Sequence, residues 1–375
     1  MSSAERCPFV TVIMPIRNEA AYIARSLGAV LAQDYPPERM EVLVVDGMSD
    51  DGTREVIANL QVRNPQSAIR ILDNPARIVP TALNLGLRHA RGEVVIRVDG
   101  HCEIAPDYVR RCVEALQETG ADSVGGVCWH VRPVRARGIR LQETGADSVG
   151  GVWATTGGET FTARAVALAQ SAWFGVGGVA FRVGRRTPGC VDTVPFGAYR
   201  REVFDRIGGF DEELVRNQDD EFNFRLTQAG GKIWLDPSIR SIYYSRASLR
   251  GLWRQYFQYG LYKVRVIQKR RGIPSWRHLV PAVFVLGLVG SLFLALVTRQ
   301  PLWALGVAGP YVGANVAASL WTARHDPRAL PFLPLAFVTL HLAYGLGFLW
   351  GLWRWRRHHK ELRMGKRSAQ GDLHA

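Results

Sequence analysis

Cysteine is scarce in this chain, with five residues (Cys7, Cys102, Cys112, Cys128 and Cys190) in 375 and no CxxC pair among them. That leaves neither a zinc ribbon nor an even disulfide framework, and fits thiols kept in a reducing compartment. The opening residues, MSSAERCPFVTVIM, lack the charged region, apolar core and small-residue cleavage site of a secretory leader. The folded portion is therefore expected to stay in the cytoplasm. Acidic residues are outnumbered 33 to 47, for a formal charge of +14. No nucleic-acid-binding motif accompanies that excess, so nucleic acid is not the expected partner. Much of it flanks apolar segments instead: Lys263, Arg265, Lys269, Arg270, Arg271 and Arg277 before them, and Arg354 to Arg367 after. Basic residues in such places mark cytoplasmic flanks and meet anionic lipid headgroups.

Long charge-free runs are missing up to about Arg277, and that part reads as a soluble α/β protein. Beyond it come three, Leu279–Thr298, Gln300–Ala323 and Ala329–Trp353, each near the ~20 residues that cross a hydrocarbon core. Three full crossings from a cytoplasmic start would leave the basic tail outside, against the positive-inside tendency. One segment is thus expected not to cross fully. The middle one is the candidate, because Gly306, Gly309, Pro310 and Gly313 weaken its helix.

Within the first hundred residues strand and helix signals alternate, the pattern of a wound, mostly parallel sheet. Strands are expected at Phe9–Met14, Glu41–Asp46, Ile69–Leu72 and Glu93–Asp99, with helices at Ala20–Ala32, Thr53–Leu60 and Pro80–Ala90. Ligands of such sheets bind beyond the carboxyl ends of the strands. Three strands end at Pro15, Asp46 and Asp99, which places the polar residues there in one cleft.

Four sites in fixed order carry the chemistry. PIRNEAAYI sets Pro15, Arg17, Asn18 and Glu19 between the first strand and its helix. VDGMSDDGT ends the second strand with Asp46 and opens the next helix with Asp51-Gly52-Thr53; an acidic strand end can accept hydrogen bonds from a ribose or base. RVDGHCE places Asp99 and His101 one residue apart, an oxygen and an imidazole ligand suited to Mn²⁺ or Mg²⁺ when diphosphate oxygens complete the shell. RNQDDEFNFRL crowds Asp219, Asp220 and Glu221 at a helix start, where the dipole favours negative charge. A carboxylate there can take a proton from an acceptor hydroxyl.

Together these sites resemble the family 2 glycosyltransferases over roughly Phe9–Tyr262. The resemblance implies a GT-A nucleotide-sugar-binding domain and inverting transfer. It sets Pro15, Glu19 and Asp46 toward the nucleoside with Asp51 in the same donor loop, beside Arg17. Asp99 and His101 fall on the family's DxD metal motif, with His101 in place of the second Asp. QDDEFNFR is similar to the EDxDLxxR pattern and puts Asp219 at the general-base position, with Gln218 for its Glu and Glu221 for its second Asp. Asp220, Glu221 and Arg225 then fall on the acceptor side. RQYFQYG partly resembles the QxxRW signature of processive synthases. Gln255 matches, while Gln258 and Tyr259 stand where Arg and Trp would be. Its aromatics suit either a sugar or a lipid interface.

The wider layout, with GVGG at Gly175–Gly178, PFGAYR at Pro195–Arg200 and an apolar tail, resembles succinoglycan-type exopolysaccharide glucosyltransferases. That implies UDP-glucose as donor and a polyprenyl-diphosphate-linked sugar as acceptor, at the cytoplasmic face of a bacterial inner membrane. A processive synthase and a non-catalytic membrane scaffold keeping the same fold are the rivals. The domain layout expected is a GT-A domain over 1–262, a basic amphipathic linker over 263–278, membrane helices over 279–353 and a basic cytoplasmic tail over 354–375. Inside the first domain LQETGADSVGGV occurs twice, at Leu116–Val127 and Leu141–Val152, too few copies for a solenoid. One copy suffices to end a helix and make a strand. Residues 116–140 read as a tandem duplication with Cys128–Arg140 as a surface excursion, or else as a functional basic loop.

Overall fold

A computed structural model describes residues 7–129, 160–178, 187–194, 196–244, 248–270, 272–273, 275–324 and 326–356. The chain divides into two units at Ser245. In the first, β1 (Val10–Ile16), α1 (Ile23–Leu31), β2 (Met40–Asp46), α2 (Thr53–Arg63), β3 (Ala68–Asp73), α3 (Val79–His89) and β4 (Val94–Arg97) alternate as expected. The strands pair in parallel in the order β3-β2-β1-β4. β1 and β2 are buried along their whole length, which their near-continuous apolar sequences allow in a sheet covered on both faces. β3 lies at the edge and alternates exposed with half-buried positions.

Beyond β4 the sheet becomes mixed. β5 (Cys102–Ile104), α4 (Tyr108–Thr119), β6 (Ser123–Trp129), α5 (Phe161–Ala169), α6 (Trp173–Val176), β7 (Gly189–Cys190), β8 (Ala198–Arg200), α7 (Arg201–Ile207), α8 (Gln218–Gln228) and β9 (Ile233–Tyr243) follow in turn. β8 joins β4 and β6 antiparallel, while β6 runs parallel to β9. β5 and β7 pair antiparallel with β9.

Side chains of β1 alternate between two apolar cores, following the period of two. Val10, Val12, Met14 and Ile16 meet α1 and α4 through Ile23, Leu27, Cys112 and Leu116. Ile13 faces the opposite side, with Leu83 of α3, Val203 of α7 and Phe222 of α8. The result is helix, sheet, helix in three layers. Each fully buried Leu or Ile contributes roughly 1.5–3 kcal/mol, so the parallel strands are held firmly and their carboxyl ends are fixed in space.

The first copy of the duplicated segment closes α4, with Gly120 at φ +61 as its left-handed cap, and opens β6. Cys128 and Trp129 continue that strand opposite Ser241 and Ile242 of β9, so the ladder extends two residues into the expected excursion. Residues 130–140 and the second copy lie outside the described residues.

The second unit is helical: α9 (Leu249–Arg270), α10 (Val280–Thr298), α11 (Leu302–Ala323) and α12 (Leu333–Arg354). α9 and α12 approach at their backbones, because a side chain on Gly260 or Gly347 would strike the carbonyl of Tyr344 or Phe257. Two described helices, Trp276–Thr298 and Leu333–Arg354, are long and apolar enough to cross a membrane. α11 differs, carrying Pro310 within it. It turns polar groups to α12: the Tyr311 hydroxyl lies 2.9 Å from His341 Nδ1, and Asn315 Nδ2 donates to the Pro334 carbonyl at 3.1 Å. The basic tail is described only as far as Arg356.

Candidate functional site

Strand register sets the site. Ile16 lies opposite Asp46 at the ends of β1 and β2, and Ile13 lies opposite Arg97 at the end of β4. Pro15, which has no N–H, falls past the last β1–β4 pair, so no ladder bond is lost there. β4 stops two residues earlier than the sequence pattern predicts, and Asp99 sits in the turn that follows.

The loops after β1 and β2 clasp each other. Asn18, at φ +55, donates its backbone N–H to Ser49 Oγ at 2.9 Å and its Nδ2 to Asp50 Oδ1 at 2.9 Å. Asp50 returns its N–H to Asn18 Oδ1 at 3.1 Å. Glu19 N–H donates to Thr53 Oγ1 at 2.8 Å, and Ala20 N–H to Asp51 Oδ2 at 3.1 Å. The Thr53 hydroxyl bonded to Asp51 holds that exposed carboxyl below its usual value. Arg17 is exposed beside Gly47.

Asp46 is fully buried. It accepts from the Ser49 backbone and hydroxyl and from Arg54 Nε, while Arg54 also reaches Asp73 at the end of β3. Asp46 thus organises the loop from within. Asn18, Asp50 and Arg17 form the exposed rim.

The Asp99-Gly100-His101 turn packs against the first loop. A Cβ on Gly100 would come within 2.8 Å of Glu19 Cγ, so glycine permits that approach. His101 Nδ1 lies 2.8 Å from Glu19 Oε1, and its ring stands edge-on to Tyr243 at 4.9 Å between centroids. With Nδ1 protonated toward Glu19, Nε2 carries the lone pair. This carboxylate-backed imidazole is the arrangement that orients a metal-ligating histidine. Among the described residues no three His, Cys, Asp or Glu side chains converge as a complete metal cage. Asp99 and His101 are the side chains of this turn that could hold a divalent ion, with oxygens of a ligand completing the shell.

Arg97 links the third motif to the fourth. The sequence offers one signal for it, a guanidinium inside the apolar strand EVVIRVD on the same face as Asp99 by the period of two. Its side chain, 10% exposed, donates Nε and Nη2 to Asp99 Oδ1 at 3.1 and 2.8 Å and Nη1 to Asp219 Oδ1. Asp219 stands 122 residues away in sequence, in the first turn of α8. Desolvation raises its carboxyl above the ordinary value, against the pull of Arg97 and with the Asp99 charge adding to the rise.

Asp220 is half-buried beside it. Glu221 is fully buried and bonds Arg225 at 3.1–3.2 Å, and Arg225 reaches the carbonyls of Ile207 and Gly209. This pair braces the turn after α7. Gln255, Gln258 and Tyr259 belong to α9 of the second unit, where Gln255 Nε2 donates to the Tyr259 hydroxyl at 2.9 Å.

Known proteins resemble this chain over most of its length. A model of glycosyl transferase family 2 matches residues 11–208. The succinoglycan biosynthesis protein ExoA of Rhizobium meliloti (strain 1021) is 31% identical over 350 residues, 92% of this chain and 96% of that one. A dolichyl N-acetyl-alpha-D-glucosaminyl phosphate 3-beta-D-2,3-diacetamido-2,3-dideoxy-beta-D-glucuronosyltransferase of Methanococcus voltae is 26% identical over 352 residues, 92% and 97% of the two chains. Among solved structures, a mannosyltransferase from Pyrobaculum calidifontis in complex with GDP-Man and Mn2+ superposes with a TM-score of 0.56 at 20% identity, covering 92% of this chain and 88% of that one. That likeness speaks for the fold.

Proposed function

This chain belongs to the family 2 glycosyltransferases, and from that premise we propose that it transfers glucose from UDP-glucose, with inversion, to a sugar on a polyprenyl diphosphate. The setting proposed is exopolysaccharide assembly at the cytoplasmic face of a bacterial inner membrane, with anionic lipid beside the basic flanks. The observation that carries the reading is the bridge from Asp99 through Arg97 to Asp219. It joins a metal motif at the end of a parallel strand to a carboxylate suited to deprotonate an acceptor.

The donor side is assigned to Pro15, Arg17, Glu19, Asp46 and Asp51, with Asp99 next to the diphosphate. Asp46 sets the loop by its bonds to Ser49 and Arg54, and the clasped rim receives the nucleoside. Asp99 and His101 would hold Mn²⁺ or Mg²⁺, which when bound neutralises charge on the departing nucleoside diphosphate. Asp219 takes the proton of the acceptor hydroxyl as it attacks the anomeric carbon from the opposite face, giving a β-linkage from an α-linked donor. Positioning and charge stabilisation provide most of the acceleration. On the acceptor side Asp220 lies nearest the base in sequence, while Glu221 and Arg225 support the helix that carries it. Gln255, Gln258 and Tyr259 are proposed to meet the acceptor or the lipid interface.

The assignment is tested by incubating membranes that carry the protein with a panel of radiolabelled nucleotide sugars and extracting the lipid fraction. Label from UDP-glucose should enter the lipid as a single added sugar. Label from another donor, or none in lipid, overturns the donor and acceptor assignment, and a ladder of many sugars turns the reading to a processive synthase.

A further inference from the structure

Arg97 is the cation of a three-part charge cluster. Its guanidinium is nearly enclosed and divides its donors between Asp99, with two, and Asp219, with one. Both carboxylates keep more open surface than the guanidinium, 18% for Asp99 and 39% for Asp219 against 10%. The cluster therefore buries its base more deeply than its acids. Without Arg97, the two carboxylates would lose the charge they share, and their mutual repulsion would favour a proton or a cation in its place. With Arg97 the Asp99 charge is already answered.

We propose that Arg97 is a built-in counterion that positions both acids and keeps Asp99 from capturing a divalent ion until a nucleotide brings one. A diphosphate adds negative charge and oxygen ligands, which tips the balance toward the ion. Arg97 is then left with Asp219 as its carboxylate partner and continues to aim the base. Metal and donor enter together in this scheme. The inference rests on the assignment of Asp99 as a metal ligand.

The test is Mn²⁺ binding by the full chain in detergent, followed by the electron paramagnetic resonance of free Mn²⁺, with and without UDP. Wild type should bind Mn²⁺ weakly alone and much more tightly with UDP. Arg97→Met should bind nucleotide-free Mn²⁺ tighter by on the order of 10–100-fold, the scale at which residues around a metal's ligands alter affinity. Arg97→Lys, which restores the charge, should return close to wild type. A purely structural role for Arg97 predicts the opposite, a loss of binding in both conditions. Nucleotide-free affinity in Arg97→Met no higher than in wild type, with UDP-dependent binding intact in wild type, overturns the counterion role alone. Absence of Mn²⁺ binding in wild type even with UDP overturns the metal assignment, and the inference with it. Should Arg97→Met fail to fold, Asp219→Asn decides the matter. It leaves Asp99 as the carboxylate that answers the Arg97 charge, so nucleotide-free binding should be equal to or weaker than wild type, and tighter binding would overturn the proposal.

Discussion

Replacing Asp219 by Asn separates catalysis from binding and from folding in one variant. The amide keeps the shape of the side chain and removes the charge that accepts a proton. A positioned general base contributes about 10²–10⁴-fold, or about 2.7–5.4 kcal/mol of transition-state stabilisation at 1.36 kcal/mol per decade. The polar partner found for Asp219 is Arg97, which also holds Asp99 through two bonds. Loss of the Asp219 charge therefore does not strand the guanidinium. With Asp219 39% exposed, the change in stability should stay within about 1 kcal/mol, as for other partly open pairs. The donor loops are tied by Asn18, Asp50, Asp51 and Thr53, none of which the substitution touches. Calorimetric titration with nucleotide sugar should accordingly give near-normal affinity, while transfer of label to lipid falls by two to four decades. Transfer within about tenfold of wild type would refute Asp219 as base and move attention to Asp220.

The raised carboxyl of Asp219 has a signed pH consequence. Since the base must be ionised, kcat/KM should fall with decreasing pH along a limb placed above the ordinary aspartate value near ~3.9, and that limb should be absent in Asp219→Asn. The same raised value favours the protonated folded state, so its contribution to stability is present at low pH and is lost as pH rises through it. EDTA should abolish transfer and Mn²⁺ or Mg²⁺ restore it, with Asp99→Ala weakening donor binding chiefly when metal is present; full activity in chelator would make Asp-Gly-His only a turn. Glu221→Ala should lower stability by roughly 1.5–3 kcal/mol, because it takes the carboxylate from the Arg225 guanidinium and leaves it the carbonyls of Ile207 and Gly209, and an unchanged thermal midpoint would refute the bracing role. Deleting Leu116–Arg140 should leave a folded protein at least as stable, since Leu141–Val152 can supply the same end of α4 and start of β6; loss of folding would show the insert to be integral.

The parallel half of the sheet was legible because its determinants are local. VTVIM, EVLVVD and EVVIRVD are near-continuous apolar runs, and amphipathic helices and Asx-rich turns separate them. Each run names a strand buried on both faces. Strand boundaries moved by one or two residues, most consequentially at β4. There the sheet neighbour of Arg97 is Ile13, and the chain turns away before Asp99. The mixed half was not legible. β7 and β8 have two and three residues, too short for any period to register, and their pairing with β4, β6 and β9 rests on contacts far apart in sequence. In the second unit, composition alone separated α11 from its neighbours through Pro310 and its glycines. The polar links to His341 and Pro334 are a tertiary fact that no single helix announces.

For the site, the sequence names residue types that can do the chemistry, but not which of them is exposed to do it. Asp46 and Asp51 read alike as strand-end and loop acids. Yet one is fully buried under Ser49 and Arg54 and the other lies exposed, clasping the neighbouring loop. Glu19 reads as a nucleoside contact and stands against His101. Glu221 reads as a companion of Asp219. Two positions further along the helix turn its carboxylate about 200° away, from the cleft into the packing against Arg225. Arg97 shows the limit most clearly. An arginine in an apolar strand announces that a buried counter-charge must exist, and the period of two nominates Asp99. The second partner, 122 residues downstream, becomes visible only when β4 and α8 meet. The motif order identifies the machinery, while the charge balance among Arg97, Asp99 and Asp219 arises from the tertiary fold.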